Sequence, residues 1–299
     1  MVKLKYKYKI ILIILFLLSI TLFSADWPVK DITYKNFTSF FGETRGDHFH
    51  NGVDIVKKGA KIYPIEKGEI LFYYDEDEEP TRATIGIGKY VIIDHYEYRS
   101  YYCHLDKIDI KNKILIDKNQ SIGIIGNTGR SSGEHLHFAI KKNNFFIDPF
   151  EILKLNIEKT NNSPIIDNIL FKSGYYMSSE NDKETSLTLP FREVFDIYIL
   201  ARTYDDREMH KGIKEVTIDI KDNNDKNVLS NLIKFNYIEN NKLNGKHSID
   251  EIYTKVWERN YIYLGRWTKK YRRENYTLII TVKDIWGNSK VLKKSISFK

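Results

Sequence analysis

Glu134-His135-Leu136-His137-Phe138-Ala139-Ile140 is the stretch that decides how this chain folds. Side chains two apart on a β-strand share a face, so as a strand it projects His135 and His137 together and turns Leu136 and Phe138 toward a core. Gly133, just ahead, predicts a turn feeding the strand. Far upstream, His50-Asn51-Gly52-Val53-Asp54 offers another histidine and a carboxylate. Gly52 disfavours a helix between them, which places His50 and Asp54 on a loop or strand end. Two imidazoles and one carboxylate can hold a zinc ion with one coordination position open for water, the arrangement of a catalytic rather than a structural site. Either motif alone is more often a surface or packing feature; the two together, each flanked by glycine turns, make the case. The helix-borne H-E-x-x-H zinc motif does not occur in the sequence.

Outward from these motifs the pattern stays short-stranded. Lys61 to Ile65, Gly68 to Tyr74, Tyr90 to Asp94, Ser100 to His104 and Glu134 to Lys141 read as strands, separated by turns at Gly86 to Gly88, Gly126 to Gly133 and Asn143-Asn144. Lys-Thr-Asn-Asn-Ser-Pro, ending at Pro164, breaks all periodicity. Beyond it Asp196 to Ala201, Glu215 to Ile220, Tyr261 to Leu264, Tyr276 to Val282 and Val291 to Phe298 alternate or run apolar. The expected fold is mainly β: a compact antiparallel sheet domain at 26–154 with an active-site groove, a linker at 155–164, and a β-sandwich at 165–299. The closing stretch from Tyr276 to Asn288 resembles the final hairpin of an immunoglobulin-like module, a likeness that carries no function.

Phe41-Gly42-Glu43-Thr44-Arg45, His50 to Ile55, Tyr102-Cys103-His104-Leu105, Ile122 to Gly133, His135 to Phe138 and Asp148-Pro149 follow one another in unbroken order. In this succession the chain resembles the lysostaphin and LytM type of zinc endopeptidases, over residues from about 37 to 152. The resemblance implies that His50, Asp54 and His137 are the ligands of one Zn2+ per chain. It implies that His104 and His135 flank the open position, where they orient or deprotonate water and stabilise a tetrahedral intermediate. None of the five is substituted, which favours an active enzyme over the family's noncatalytic wall-binding or activating members. Zinc lowers the pKa of its water from about 15.7 to roughly 7 and polarises a carbonyl. Histidine titrates in the same range and suits proton transfer to a leaving amine.

Other residues are read as bland. His48 is a flanking surface histidine, His95 a packing or turn residue at a strand end, and His210 and His247 have no partner pattern. Tyr102 is expected on the strand face of His104, its hydroxyl meeting substrate or covering the groove wall. The lone Cys103 excludes an intramolecular disulfide; beside His104 it suggests a cysteine nucleophile, but adjacent strand residues point apart, so it reads as buried filler. The acidic run Asp75 to Glu79, followed by Pro80, reads as a solvated hairpin tip rather than a calcium loop.

Lys3, Lys5, Lys7 and Lys9 before the apolar run Ile10 to Phe23 make residues 1–25 a secretory signal. The run, about 14 residues, is short for a membrane span, which needs roughly 20. Cleavage after Ala25 puts Phe23 where a small residue is preferred, so an uncleaved N-terminal anchor stays open as the one membrane contact. No cysteine follows to take a lipid. Without the four leader lysines the charge of +7 falls to +3, too little for a nucleic-acid partner. The composite expectation is an exported zinc endopeptidase of the periplasm or cell envelope, acting on peptidoglycan stems or cross-bridges and remodelling the wall. Its rivals are a noncatalytic scaffold that binds the wall and activates a separate amidase, and an envelope protease acting on proteins. An envelope protein partner docking on the C-terminal domain stays open.

Overall fold

The computed structural model describes residues 25–78, 86–153, 158, 160–203, 212–268 and 274–299. The expected leader up to residue 24, His210, Glu79, Pro80 and part of the expected linker lie outside the described residues. No helix among the described residues is long and apolar enough to cross a membrane.

Alternating polar and apolar residues build the sheet that carries the motifs. In Leu136–Lys142 the side chains of Leu136, Phe138 and Ile140 are buried while His137 on the other face is half-buried. The strand order is Lys242–Leu243, Tyr237–Glu239, Phe145–Ile147, Leu136–Lys142, Arg99–Ile108, Lys89–Asp94, Gly68–Tyr74 and Leu115–Ile116. Val53–Ile55 pairs antiparallel with Leu136–Lys142, and Asp54 stands directly opposite His137. Opposed residues of such a pair have side chains on one face, roughly 5 Å apart at Cβ. Gly52 makes the approach possible, because a Cβ there would lie 2.3 Å from the carbonyl oxygen of Phe138.

Arg99–Ile108 departs from simple alternation. Its register against Lys89–Asp94 slips between Tyr102 and Leu105, and His104 has φ of +65°. The bulge turns both Cys103 and His104 toward the groove and leaves Tyr102 and Leu105 in the core. The expected groove-wall role of Tyr102 is therefore corrected: it is fully buried, and its hydroxyl accepts from the Ile65 N–H at 3.0 Å. Cys103 stands opposite His137 on the metal-facing side, not on the opposite face from His104, and is buried. His95 has the packing role read for it, donating to Lys67 O at 3.1 Å and lying 2.7 Å from Ser100 Oγ. Asp75 is no solvated tip; it is buried and paired with Lys89 and Lys111.

The second half forms two five-stranded sheets. Ile165–Ser173, Tyr176–Glu180, Val194–Arg202, Tyr253–Val256 and Arg259–Thr268 make one; Ser186–Leu189, Ile213–Lys221, Asn227–Lys234, Tyr276–Asp284 and Ser289–Phe298 make the other. Phe171, Phe195, Ile197 and Trp267 of the first share one buried cluster with Val216, Ile218, Leu278 and Ile280 of the second. The halves also interlock. Tyr237–Glu239 leaves the paired sheets and extends the first sheet beside Phe145–Ile147. Trp286 inserts among Phe37, Phe40 and Phe150 with ring centroids 5.2 to 6.3 Å away.

Candidate metal centre

His50 Nε2, Asp54 Oδ1 and His137 Nδ1 converge: each imidazole nitrogen is 3.0 Å from the carboxylate oxygen, and the two nitrogens are 2.9 Å apart. Both rings are oriented from behind. His50 Nδ1–H donates to the carbonyl oxygen of Phe40 at 2.9 Å, and His137 Nε2–H donates to Asn51 Oδ1 at 3.1 Å. Those acceptors take the ring hydrogens, so the nitrogens facing Asp54 present lone pairs. Three lone pairs meeting at one point call for a cation. A proton satisfies two of them, whereas a divalent ion satisfies all three, and the donor set suits an ion that accepts nitrogen and oxygen. Among the described residues this is the one group whose three donors lie within 4.8 Å of one another.

The second carboxylate oxygen is occupied. Arg45 Nη2 donates to Asp54 Oδ2 at 2.7 Å and to Ser39 Oγ at 2.8 Å, leaving Oδ1 to the cluster. Burial pushes the Asp54 carboxyl up; where no ion lies between them, the charge of a protonated His50 and the protons that Asp54 then shares with the two imidazoles outweigh burial and hold the carboxyl well below its usual range, the place that a cation takes when the rings are neutral. Burial pulls His137 down to about 4, which keeps it neutral, the form a ligand requires.

His104 and His135 stand beside the cluster with ring centroids 4.8 Å apart. His104 Nδ1–H donates to Thr128 O at 2.8 Å, and His135 Nδ1–H to Gly133 O at 2.8 Å. Each therefore presents Nε2 as a lone pair, that of His135 lying 3.7 Å from Asp54 Oδ1. Burial lowers the His104 pKa, so its ring stays a neutral base. These groups line a groove of about 500 Å3 with Arg45, Arg130, Ser131 and Ser132 on its walls. His48 is on the rim, exposed and paired with Asp47 at 2.6 Å, as a flanking surface histidine should be. His247 lines a separate cleft of about 460 Å3 in the second half.

All five residues singled out in the sequence meet in this groove. Arg45 and Asn51 were not assigned a role there, and their functions depend on which atoms the fold brings near. Arg45 reaches Asp54 only after the chain reverses between them, and Asn51 reaches His137 across the strand pair; no spacing rule marks either. Nor does any rule mark the carbonyls of Phe40, Thr128 and Gly133.

Three convergent donors on one side, with two lone-pair imidazoles on the other, define a metallohydrolase type of site. Residues 48–149 match Peptidase family M23. The chain is 33% identical over 130 residues to the peptidoglycan DD-endopeptidase ShyB of Vibrio cholerae, covering 41% of this chain and 28% of that protein. It is 29% identical over 129 residues to the murein hydrolase activator NlpD of Salmonella dublin, covering 42% of this chain and 30% of the relative. A crystal structure of a zinc containing peptidase from Vibrio cholerae aligns with 45% of this chain and 40% of its own, at 28% identity and a TM-score of 0.36. The chain thus spans less than a third of the length of either sequence relative.

Proposed function

We propose that this protein is an exported zinc endopeptidase that hydrolyses peptide bonds in the stems or cross-bridges of peptidoglycan. In this reading His50, Asp54 and His137 hold one zinc ion, His104 and His135 are the catalytic bases, residues 26–154 carry the chemistry, and residues 165–299 form a β-sandwich beyond the linker. The observation that carries it is the convergence of three lone pairs on one point, with two further imidazole lone pairs facing the same space.

The ion supplies a Lewis acid and an acidified water. The chain's own groups do the rest. Phe40 O and Asn51 keep the two ligand rings in the tautomer that binds. Arg45 holds Asp54 by one oxygen, so that its other oxygen keeps one direction. One of the two, His104 Nε2 or His135 Nε2, accepts the proton released as water attacks the scissile carbonyl and returns it to the departing amine. The carbonyls behind both rings stabilise the imidazolium formed in between. The expected leader supports the envelope location, and similarity to the DD-endopeptidase supports the bond type.

The full chain, incubated with cross-linked muropeptides, is expected to open them in a chelator-sensitive way, read by mass spectrometry. An unchanged muropeptide profile refutes the proposal. Similarity to the murein hydrolase activator favours one alternative, a noncatalytic scaffold that binds the wall and activates an amidase. His135→Ala separates the two: cleavage lost with zinc retained supports catalysis, and wall function unchanged supports the scaffold.

A further inference from the structure

The segment bearing His50 is itself a small hairpin. Gly42 N–H donates to His50 O at 2.8 Å, His50 N–H to Glu43 O at 2.7 Å, and Arg45 N–H to His48 O at 2.8 Å. Both Arg45, which grips Asp54, and His50 belong to it, so its placement sets two of the contacts around the cluster. A two-stranded hairpin joined by three such bonds is too small to hold its own position in water.

Its support comes from the far half of the chain. The Tyr253 hydroxyl, buried, donates to Gly42 O at 2.9 Å. Phe235 lies so close that a Cβ on Gly42 would meet its ring at 2.6 Å, and Gly42 has φ of +80°, so glycine is required there on both counts. Phe41 and Phe49 are buried in the apolar cluster of the paired sheets, not in that of the site-bearing sheet, and the Phe49 ring centroid is 6.2 Å from that of Tyr253. At the other end, Asn241 Oδ1 accepts from Phe49 N–H at 3.3 Å and Asn241 Nδ2 donates to Asp47 O at 3.2 Å. Asn241 can do this because Asn240 and Asn241 make the tight turn between Tyr237–Glu239 and Lys242–Leu243, with φ of +49° and +58°.

We propose that Asn241 and Tyr253 are positioning residues for the metal centre: the second half of the chain is the mount that holds the His50 hairpin at coordinating distance from Asp54 and His137. This rests on the reading of that cluster as a metal site. It assigns the Tyr237–Leu243 excursion a purpose that a spacer or wall-binding module would not need. Neither residue touches the cluster; both act through the backbone of the hairpin that leads into His50, Asn241 at Asp47 and Phe49 and Tyr253 at Gly42.

The test uses the full-length chain and zinc alone as the probe. Asn241→Ala and Tyr253→Phe are each expected to weaken zinc binding on the order of tenfold, the low end for residues that orient ligands, measured by competition with a chelator. Hydrogen exchange at residues 42–50 should quicken in both, while KM of the zinc-loaded protein stays unchanged. Tyr237→Phe is the control; it removes a bond to Asn244 O inside the same region and none to the hairpin, and should bind zinc as the parent does. Parent-like zinc affinity in both variants overturns the proposal, even if exchange quickens. A tenfold loss in Tyr237→Phe as well overturns it too, as general loosening. A parent protein that takes up no zinc overturns the metal reading instead, and this proposal with it.

Discussion

The two halves of the molecule differ in what they bury. Among the described residues, nine of the thirteen buried polar or charged ones lie before residue 150, His50, Asp54, His95, Ser100 and His104 included; the paired sheets that follow are filled almost wholly by aliphatic and aromatic side chains. A buried polar group is tolerated only when its partners are placed for it, so the first half depends on exact placement of hydrogen bonds, whereas the second needs only well-packed volume. The difference implies that a substitution in the groove changes chemistry and one in the paired sheets changes stability. The junction between them should couple the two.

The largest expected effect is chemical. Asp54→Ala removes the one carboxylate among the donors and leaves Arg45 without its partner. The rate of muropeptide cleavage should fall on the order of a thousandfold or more, as when a member of a catalytic unit is lost, and zinc per chain should drop with it. Retained zinc and rate would break the contrast at its stronger end.

Trp286 tests the junction. It comes from the second half but is buried in the aromatic cluster of the first, against Phe37, Phe40 and Phe150. Trp286→Ala should destabilise the whole chain by roughly 3–5 kcal/mol, the range for removing a large buried aromatic, in a single denaturant transition. Two separate transitions, with only one displaced, would show that the halves fold independently and that the interlocking is superficial.

Acid should act on the first half. Burial lowers the pKa of His95, His104 and His137, the last to about 4. Below the ordinary 6.5 the unfolded chain binds more protons than the folded one at these sites, so their contribution is complete above that pH and is lost as pH falls toward about 4. Asp148, raised by burial to about 7, has the opposite sign: its contribution declines as pH rises from 3.8 through about 7. Asp284, also raised by burial, shares that opposite sign, and the expected balance is that the three histidines outweigh the two carboxyls. The urea midpoint of chelator-treated protein should be lower at pH 5 than at pH 7, values taken as roughly the edges of the histidine range; an equal or higher midpoint at pH 5 contradicts the assignment.

The sequence was most legible where one local rule operated. Gly68–Tyr74 has the bounds that its flanking turns mark. The neighbouring strand read to Ile65 stops at Ile62, because Pro64 lacks an N–H and the Ile65 N–H goes to the Tyr102 hydroxyl instead of a ladder. His135 and His137 were placed on one face by period alone, and Asp54 joined them through a cross-strand register that no local rule supplies. The bulge at His104 hid from alternation because it depends on a positive φ at a histidine, which composition does not announce. Asn241 and Tyr253 lie almost two hundred residues or more from the atoms they hold. Such contacts are set by how the two halves meet, and only the folded chain displays them.

The smallest expected effect decides between two chemistries. Cys103 lies on the groove side of its strand, opposite His137 and next to His104, so geometry no longer excludes it as a nucleophile in the way that simple alternation did. Burial does. It pushes the thiol pKa up, and the negative charge of Asp54 adds to the push, so the sulfur stays protonated where a thiolate would be needed. Cys103→Ala should therefore leave the cleavage rate within about twofold and cost roughly 1 kcal/mol of stability, the scale of a small buried side chain trimmed by one atom. Loss of cleavage in that variant with zinc still bound would transfer the chemistry from the imidazoles to the thiol.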